Sequence, residues 1–185
     1  NGEEKTGITT MYMDKGLDTG DIILQKETKI GRDETAGDLH DRLAELGTET
    51  LIETVRLIEE GSAPRIAQNN ELATYAPIMS KSLGRIEWSK HACEIYNLIR
   101  GTYPWPGAFS YYKGRSFKIF KAEVSDNSSR NEKYGCIIDL DRESFTVNCG
   151  TGSLKIMEIQ FENEKRMSVE AYLRGHNIEK NTVLE

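Results

Sequence analysis

Residues 11–25 read MYMDKGLDTGDIILQ, a short acidic turn between two apolar segments. The turn contains three aspartates, Asp14, Asp18 and Asp21. Gly16 and Gly20 permit backbone conformations that other residues resist, so we expect a tight loop, held rigidly at both ends, that projects Asp18. The same spacing also suits a hairpin whose aspartates bond only to their own backbone. The pattern by itself does not choose among the three carboxylates.

The apolar segments on both sides of this turn predict two short strands, over residues 8–13 and 22–30. A helix is expected next, because Thr35 and Asp38 have the spacing of a capping pair. Apolar residues then recur at helical spacing as far as Gly61: Leu39, Leu43, Leu46, Ile52, Val55 and Ile58. Gly47 interrupts this stripe, and glycine costs about 1 kcal/mol in a helix relative to alanine. The pattern fits either one helix or two.

The rest of the chain begins with an irregular segment. Residues 62–80 show no sustained period and are rich in the turn-forming residues typical of a linker. Ser89 is expected to cap a second helix, which Gly101 would end. Alternating apolar residues then predict several short strands, near residues 116–120, 145–149 and 154–156. Several strands buried on one side favour a small antiparallel β domain and suggest a barrel.

Composition indicates a globular protein without a membrane span. Hydrophobic residues make up 37% of the 185 residues, and no apolar run reaches the roughly 18 residues of a membrane helix. The three cysteines, Cys93, Cys136 and Cys149, are odd in number and widely spaced, which fits neither a disulfide framework nor a zinc site. We therefore expect a soluble, cytoplasmic protein with reduced thiols and no bound metal.

The net charge of −6 is distributed unevenly. Residues 78–121 carry eight basic and two acidic side chains, whereas the segments before and after them are net acidic. A cationic block can concentrate a polyanion at one face, although basic residues also decorate solvated surfaces without a partner. Trp105 lies within this block between two prolines. Its ring could stack on a base, but two prolines more commonly fix a buried, structural aromatic ring, and we expect that role.

Four segments of the chain resemble the same enzyme family. They are residues 11–25, already quoted, ATYAPIMSKSLGRIEW at 73–88, IYNLIRGTYPWPGAF at 95–109 and KRMSVEAYLRG at 165–175. Together they resemble methionyl-tRNA formyltransferase over the whole chain. The resemblance implies transfer of a formyl group from 10-formyltetrahydrofolate to the amino group of methionine on initiator tRNA, in translation initiation. It implies no metal, DNA or membrane partner.

The resemblance also implies a fold and a site. Residues 1–66 would be an α/β remnant, the hairpin and helix of a Rossmann-like formyltransferase catalytic domain. Residues 67–79 would be a linker, and residues 80–185 a tRNA-binding, oligonucleotide-binding-like β-barrel domain with flanking helices. Asp18 aligns with the family's catalytic aspartate, and the backbone of Gly16, Leu17 and Thr19 would line the folate's pterin pocket. Phosphate contacts are expected from eight basic residues: Lys81, Arg85, Lys90, Arg100, Lys113, Arg115, Lys118 and Lys121.

One departure from the family is the absence of its upstream segment, written roughly N-V-H-G-S-L-L-P, which holds a catalytic asparagine and histidine. We therefore expect a fragment that is inactive alone and exposes apolar surface. His40, His91 and His176 are not expected to replace the missing histidine, because none lies in a glycine-rich site. Two alternatives stay open: a related folate-dependent formyltransferase acting on an amino sugar nucleotide, and a non-catalytic RNA-binding module.

Overall fold

The computed structural model describes residues 1–125 and 132–185. The chain divides into two compact units, Glu3–Ile78 and Met79–Glu185, the second of which includes Asn1–Gly2. The described strands are β1 (Lys5–Met11), β2 (Ile22–Lys29), β3 (Ala108–Tyr112), β4 (Arg115–Ser125), β5 (Ile137–Leu140), β6 (Phe145–Asn148), β7 (Ser153–Phe161) and β8 (Met167–Ser168). The α-helices are α1 (Ala36–Glu59), α2 (Ala92–Gly101) and α3 (Val169–Leu173), and two short 3-10 helices cover Asn70–Leu72 and Lys81–Gly84.

The first unit contains the predicted hairpin. Strands β1 and β2 pair antiparallel, with a register shift between Thr10 and Met11. The first strand ends two residues earlier than predicted because Tyr12 already belongs to the loop, where its N–H donates to the carbonyl of Asp21 at 2.9 Å. This bond closes the neck of the acidic turn. The sequence-predicted hairpin is therefore confirmed, with shifted strand ends.

Helix α1 is a single helix that packs on this hairpin. Its N-terminus has the predicted capping box, in which the hydroxyl of Thr35 accepts from the N–H of Asp38 and the Asp38 carboxylate accepts from the N–H of Thr35. The hydroxyl and the N–H of Thr35 both donate to the Asp38 carboxylate, and these two hydrogen bonds lower the pKa of Asp38. Thr50 and Thr54 form the buried side of the helix, and the Thr54 hydroxyl lies 2.8 Å from the hydroxyl of Thr10 on β1.

The second unit is built on one antiparallel sheet with the strand order β3-β4-β7-β6-β5, to which β8 adds along β7. The expected closed barrel is not found among the described residues, because β3 and β5 do not pair with each other. Instead, residues near the C-terminal end bond to both of these strands. The N–H of Ile137 donates to Thr182 and the N–H of Leu184 donates to Gly135, while Tyr111 and Glu185 exchange two backbone hydrogen bonds.

The core of the second unit lies between one face of this sheet and helices α2 and α3. Fully buried members with large apolar side chains are Ile95, Phe117, Ile119, Ile137, Phe145, Val147, Leu154, Ile156, Ile159 and Val169. Helix α2 begins at Ala92 rather than after the predicted cap Ser89, because the Glu94 carboxylate accepts from the N–H of His91 at 3.0 Å. The backbone of Ser89 instead lies against Gly150. The predicted end of this helix at Gly101 is confirmed.

All three cysteines are free thiols. Cys136 and Cys149 are buried, and burial raises the pKa of Cys149 to about 12. Within residues 1–125 and 132–185, no group of three or more His, Cys, Asp or Glu side chains is arranged to hold a metal ion. No helix in the same ranges is both long enough and apolar enough to cross a membrane.

Candidate functional site

The acidic turn of residues 12–21 is fixed at its base by a segment that follows α1. Ile66 forms an antiparallel bridge with Ile22 at the start of β2. The guanidinium of Arg65 lies 3.7 Å from the centre of the Tyr12 ring and 3.3 Å from a carboxylate oxygen of Asp21. Both strand ends of the turn are therefore held by side chains as well as by backbone.

Gln68 holds the turn from within, and the sequence analysis missed it. Its side-chain amide donates to the carbonyl of Asp18 at 2.8 Å and to the carbonyl of Gly20 at 2.7 Å. These acceptors lie 50 and 48 residues away along the chain. No local pattern could have revealed this contact, because one glutamine in an irregular segment is unremarkable until the chain folds back.

Gly16 and Gly20 are needed because a side chain would not fit at their positions, and not because their backbone angles are unusual. This corrects our expectation for them. Neither has a positive φ. A Cβ on Gly20 would lie 1.7 Å from the carbonyl oxygen of Tyr12, and a Cβ on Gly16 would lie 2.4 Å from the hydroxyl of Thr19. The residue in the left-handed region is Asp18 itself, with φ of 55°, a conformation that aspartate and asparagine tolerate better than most residues.

The three aspartates of the turn have different surroundings. Asp14 accepts from the N–H of Lys15 at 2.7 Å and from the Thr19 hydroxyl at 3.3 Å, and Asp21 pairs with Arg65. Asp18 is exposed, and in the described part of the chain no hydrogen bond or ion pair engages its carboxylate. Asp14 and Asp21 therefore stabilise the loop, whereas the Asp18 carboxylate is left available.

The eight basic candidates of residues 78–121 fall into two groups in the second unit. Three are exposed and paired with carboxylates: Lys90 with Glu87, Lys113 with Glu179 and Arg115 with Glu164. These hydrogen bonds raise the pKa of both Lys113 and Arg115. Arg100 donates to the side chain of Asn97 at 2.8 Å.

The other four candidates have no carboxylate partner in the described ranges. The Lys118 ammonium donates to the carbonyl of Pro106 at 3.1 Å. The remaining members, Lys81, Arg85 and Lys121, are exposed. The cationic block is therefore only partly neutralised by its own protein.

Trp105 does not have the burial that we predicted for it. Its side chain is 51% exposed, although the flanking Pro106 is buried. The buried indole is Trp88, which is 5% exposed and donates to the hydroxyl of Ser110 at 2.9 Å. The prolines thus hold the Trp105 backbone without covering its ring.

Comparison with known families accounts for both units. A family model described as formyl transferase, C-terminal domain, matches residues 78–177, and one described as formyl transferase matches residues 1–55. The chain belongs to the formyltransferase family. The acidic turn lies in the part matched by the N-terminal formyltransferase model, and the cationic block lies entirely in the part matched by the C-terminal one.

Curated relatives of this formyltransferase chain extend along its whole length. It is 53% identical over 184 residues to methionyl-tRNA formyltransferase of Alkaliphilus oremlandii (strain OhILAs). It is 52% identical over 184 residues to methionyl-tRNA formyltransferase of Clostridioides difficile (strain 630). Each alignment covers 100% of this chain and 59% of the relative.

A solved structure supports the formyltransferase fold. The N-formyltransferase from Helicobacter canadensis, in complex with folinic acid and dTDP-3-aminofucose, superposes with a TM-score of 0.64 at 22% identity. The superposition covers 89% of this chain and 57% of that protein. At this identity the likeness shows the fold alone.

Proposed function

We propose that the chain is part of an enzyme that transfers a formyl group from 10-formyltetrahydrofolate to the amino group of methionine on initiator tRNA. The observation that carries the proposal is the 53% identity to a methionyl-tRNA formyltransferase along the whole chain. The cationic block adds support, because a small substrate needs no extended basic surface. A cytoplasmic location is part of the same proposal.

In this proposal, Asp18 serves the proton chemistry of formyl transfer. The attacking amine must be uncharged and must lose a proton as its bond to the formyl carbon forms, while the bond from that carbon to N10 of the folate breaks and N10 takes up a proton to leave tetrahydrofolate. Asp18 would orient or polarise a histidine of the complete enzyme and reach the reacting centre through water. Its loop is held by the Gln68 side-chain amide, which donates to the carbonyls of Asp18 and Gly20 at 2.8 and 2.7 Å. The exposed carboxylate is therefore positioned by the loop and is not neutralised by an ion pair within the described residues.

We further propose that the turn contributes to folate binding. 10-Formyltetrahydrofolate would supply the formyl group. Leu17 is 86% exposed and stands between Gly16, which has no side chain, and Asp18. The Leu17 side chain would offer an apolar edge to a flat pterin ring, while the backbone of Gly16, Leu17 and Thr19 would line the pocket.

The same proposal assigns roles along the chain. Residues 1–66 would belong to the catalytic domain, and residues 67–79 would be the linker between the two domains. Residues 80–185 would bind tRNA as an oligonucleotide-binding-like domain. Among the basic candidates, we favour Lys81, Arg85, Lys118 and Lys121 as phosphate contacts, because no carboxylate in the described ranges competes for them. Such contacts would position the 3′ end of the tRNA rather than read its sequence.

The test is a pair of substitutions in an enzyme completed with the N-terminal part of the Alkaliphilus oremlandii relative. Asp18→Asn keeps the size and the left-handed backbone preference of the side chain. We expect it to lower kcat/KM for formylation of methionyl-tRNA by at least about 100-fold, the lower end of acid–base contributions. Its affinity for tRNA should not change. Asp14→Asn is the matched control, and we expect it to retain most of the activity.

Two results would overturn parts of this proposal. Undiminished turnover in Asp18→Asn would remove the aspartate from the chemistry. If the completed wild-type enzyme formylated an amino sugar nucleotide and left methionyl-tRNA unchanged, the assigned substrate would be wrong.

A further inference from the structure

The outer face of the β3-β4-β7 sheet carries a row of residues fixed by strand register. Phe109 on β3 pairs with Lys118 on β4, and Lys118 pairs with Gln160 on β7. Arg85 extends the row, because it bridges to Phe109. Directly paired residues project from the same face of a sheet. The neighbouring row of Ala108, Ile119 and Ile159 is fully buried, so the row from Arg85 to Gln160 lies on the opposite, outer face.

The turn of residues 102–107 lies against this outer face. The carbonyl of Pro106 accepts the hydrogen bond from Lys118, and the ring of Tyr103 meets the ring of Phe120 edge-on at 6.0 Å. The Arg166 guanidinium covers both rings, at 4.4 Å from Phe120 and 5.4 Å from Tyr103. Both neighbours of the Pro104–Trp105 pair are therefore anchored on the sheet, which places Trp105 at the edge of the face.

Positive charge surrounds the same turn. A Cβ on Gly84 would lie 2.1 Å from the carbonyl oxygen of Gly107, so the 3-10 helix that carries Lys81 packs closely on the turn. Arg85 follows directly, and Lys118 lies along Gly107, 3.4 Å from its ideal Cβ position. Carboxylates in the described part of the chain pair with none of Lys81, Arg85 and Lys118. Arg166, by contrast, is paired with Glu158.

We propose that Trp105 stacks on an unpaired base of single-stranded RNA whose phosphates lie along Lys118, Arg85 and Lys81. An exposed aromatic ring beside a cationic groove is the arrangement by which proteins hold single strands, since bases stack on the ring and phosphates follow the charge. The Trp105 side chain is 51% exposed, and among the described residues no aromatic ring or cation lies on its ring face, which leaves that face available to a base. The inference rests on the proposed function and deepens it, because the 3′ end of a tRNA supplies such an unpaired segment.

The test uses the 185-residue chain and two fluorescently labelled RNA hairpins, each closed by a non-nucleotide linker so that neither has an unpaired loop base. One hairpin has a single-stranded 3′ overhang of about four nucleotides, the smallest site size of such folds, and the other is blunt. We expect Trp105→Ala to weaken binding of the overhang hairpin by roughly 5- to 150-fold, the range for loss of one stacked base. Binding of the blunt hairpin should not change.

Two further variants separate stacking from charge. Trp105→Ala removes no charge, so the salt dependence of binding should keep its slope, whereas Lys118→Gln should reduce that slope by about 0.7 per lost contact with a single strand. Trp105→Phe should keep most of the affinity because it keeps an aromatic face. The overhang RNA should quench tryptophan fluorescence in the wild type but not in Trp105→Phe, where buried Trp88 is the one tryptophan left.

The possible failures are distinguishable. If Trp105→Ala lowers the affinity for both hairpins equally, or changes neither affinity, Trp105 does not stack on an unpaired base. Either result leaves the proposed RNA partner in place. If wild-type chain binds neither hairpin, both the stacking role and the tRNA-binding role assigned to this unit are wrong. If Trp105 were instead buried against another protein surface, tryptophan fluorescence would change with protein concentration in the absence of RNA. That result too would overturn the inference.

Discussion

Two glycines of the first unit differ in the space around them. Gly47, in the middle of α1, has only the end of the Ile8 side chain near its Cβ position, at 3.8 Å. Gly20, at the neck of the acidic turn, has the carbonyl oxygen of Tyr12 at 1.7 Å. A methyl group therefore fits at Gly47 in ordinary contact, while at Gly20 it must displace backbone.

We therefore predict opposite effects for the same substitution. Gly47→Ala should raise the free energy of unfolding of the first unit by up to about 1 kcal/mol, because alanine is the better helix former. Gly20→Ala should lower it by about 1–3 kcal/mol, the usual cost of forcing an added group into a filled space. Urea unfolding followed by circular dichroism measures both values. A decrease for Gly47→Ala would mean that the helix is strained at that position.

The edges of the second sheet depend on a short C-terminal segment rather than on each other. Leu184 is buried in the core at 3% exposure, whereas its neighbour Val183 is 40% exposed. The backbone on both sides of Leu184 bonds to β3 and to the start of β5. The buried Leu184 side chain is therefore the apolar anchor that holds this segment against both strands.

Leu184→Ala tests this anchor, and Val183→Ala is its control. We expect Leu184→Ala to lower the free energy of unfolding of the second unit by about 2–5 kcal/mol, as for other buried leucines. The N–H groups of Tyr111 and Ile137 should exchange with solvent faster, because both donate to this segment. Val183→Ala should change neither measurement appreciably. Faster exchange at only one of the two N–H groups would show that the strands are held independently.

The 185-residue chain exposes an apolar strip on α1 that includes the predicted stripe residues Ile52, Val55 and Ile58, whereas the predicted stripe residues Leu39, Leu43 and Leu46 are half-buried. Its members are Leu51, Ile52, Val55 and Ile58, which are 58%, 51%, 46% and 51% exposed. The adjoining side of the helix, with Thr50 and Thr54, is buried on the hairpin. Contiguous exposed apolar surface of this kind promotes association.

We predict that the chain self-associates through this strip. Val55→Lys should shift the protein toward monomer in sedimentation experiments and reduce its binding of a hydrophobic dye, because the new charge cannot be buried without a partner. Glu49→Lys adds the same side chain on the polar side of the helix and should leave association unchanged. A wild-type chain that stays monomeric at all concentrations, with slow amide exchange throughout residues 8–60, would contradict the prediction.

Local patterns predicted most elements, and their failures share one cause. The capping box at Thr35 and the hairpin were predictable because they depend on residues close together in sequence. The start of α2 was not, because the Glu94 carboxylate supplied the capping hydrogen bond instead of the expected Ser89. The barrel prediction also failed, because alternation shows which face of a strand is buried but not which strands pair at the edges.

By itself, the sequence determined that this protein has an acidic turn between two strands, a capped amphipathic helix and a β-rich second part with a cationic block, since each is a property of neighbouring residues. Only the tertiary structure decided that Asp18 is the unengaged carboxylate, that Gln68 holds its loop and that Trp105 is exposed. Those features depend on contacts between residues far apart in the chain. Such contacts can stabilise the protein only after folding has brought the two residues together.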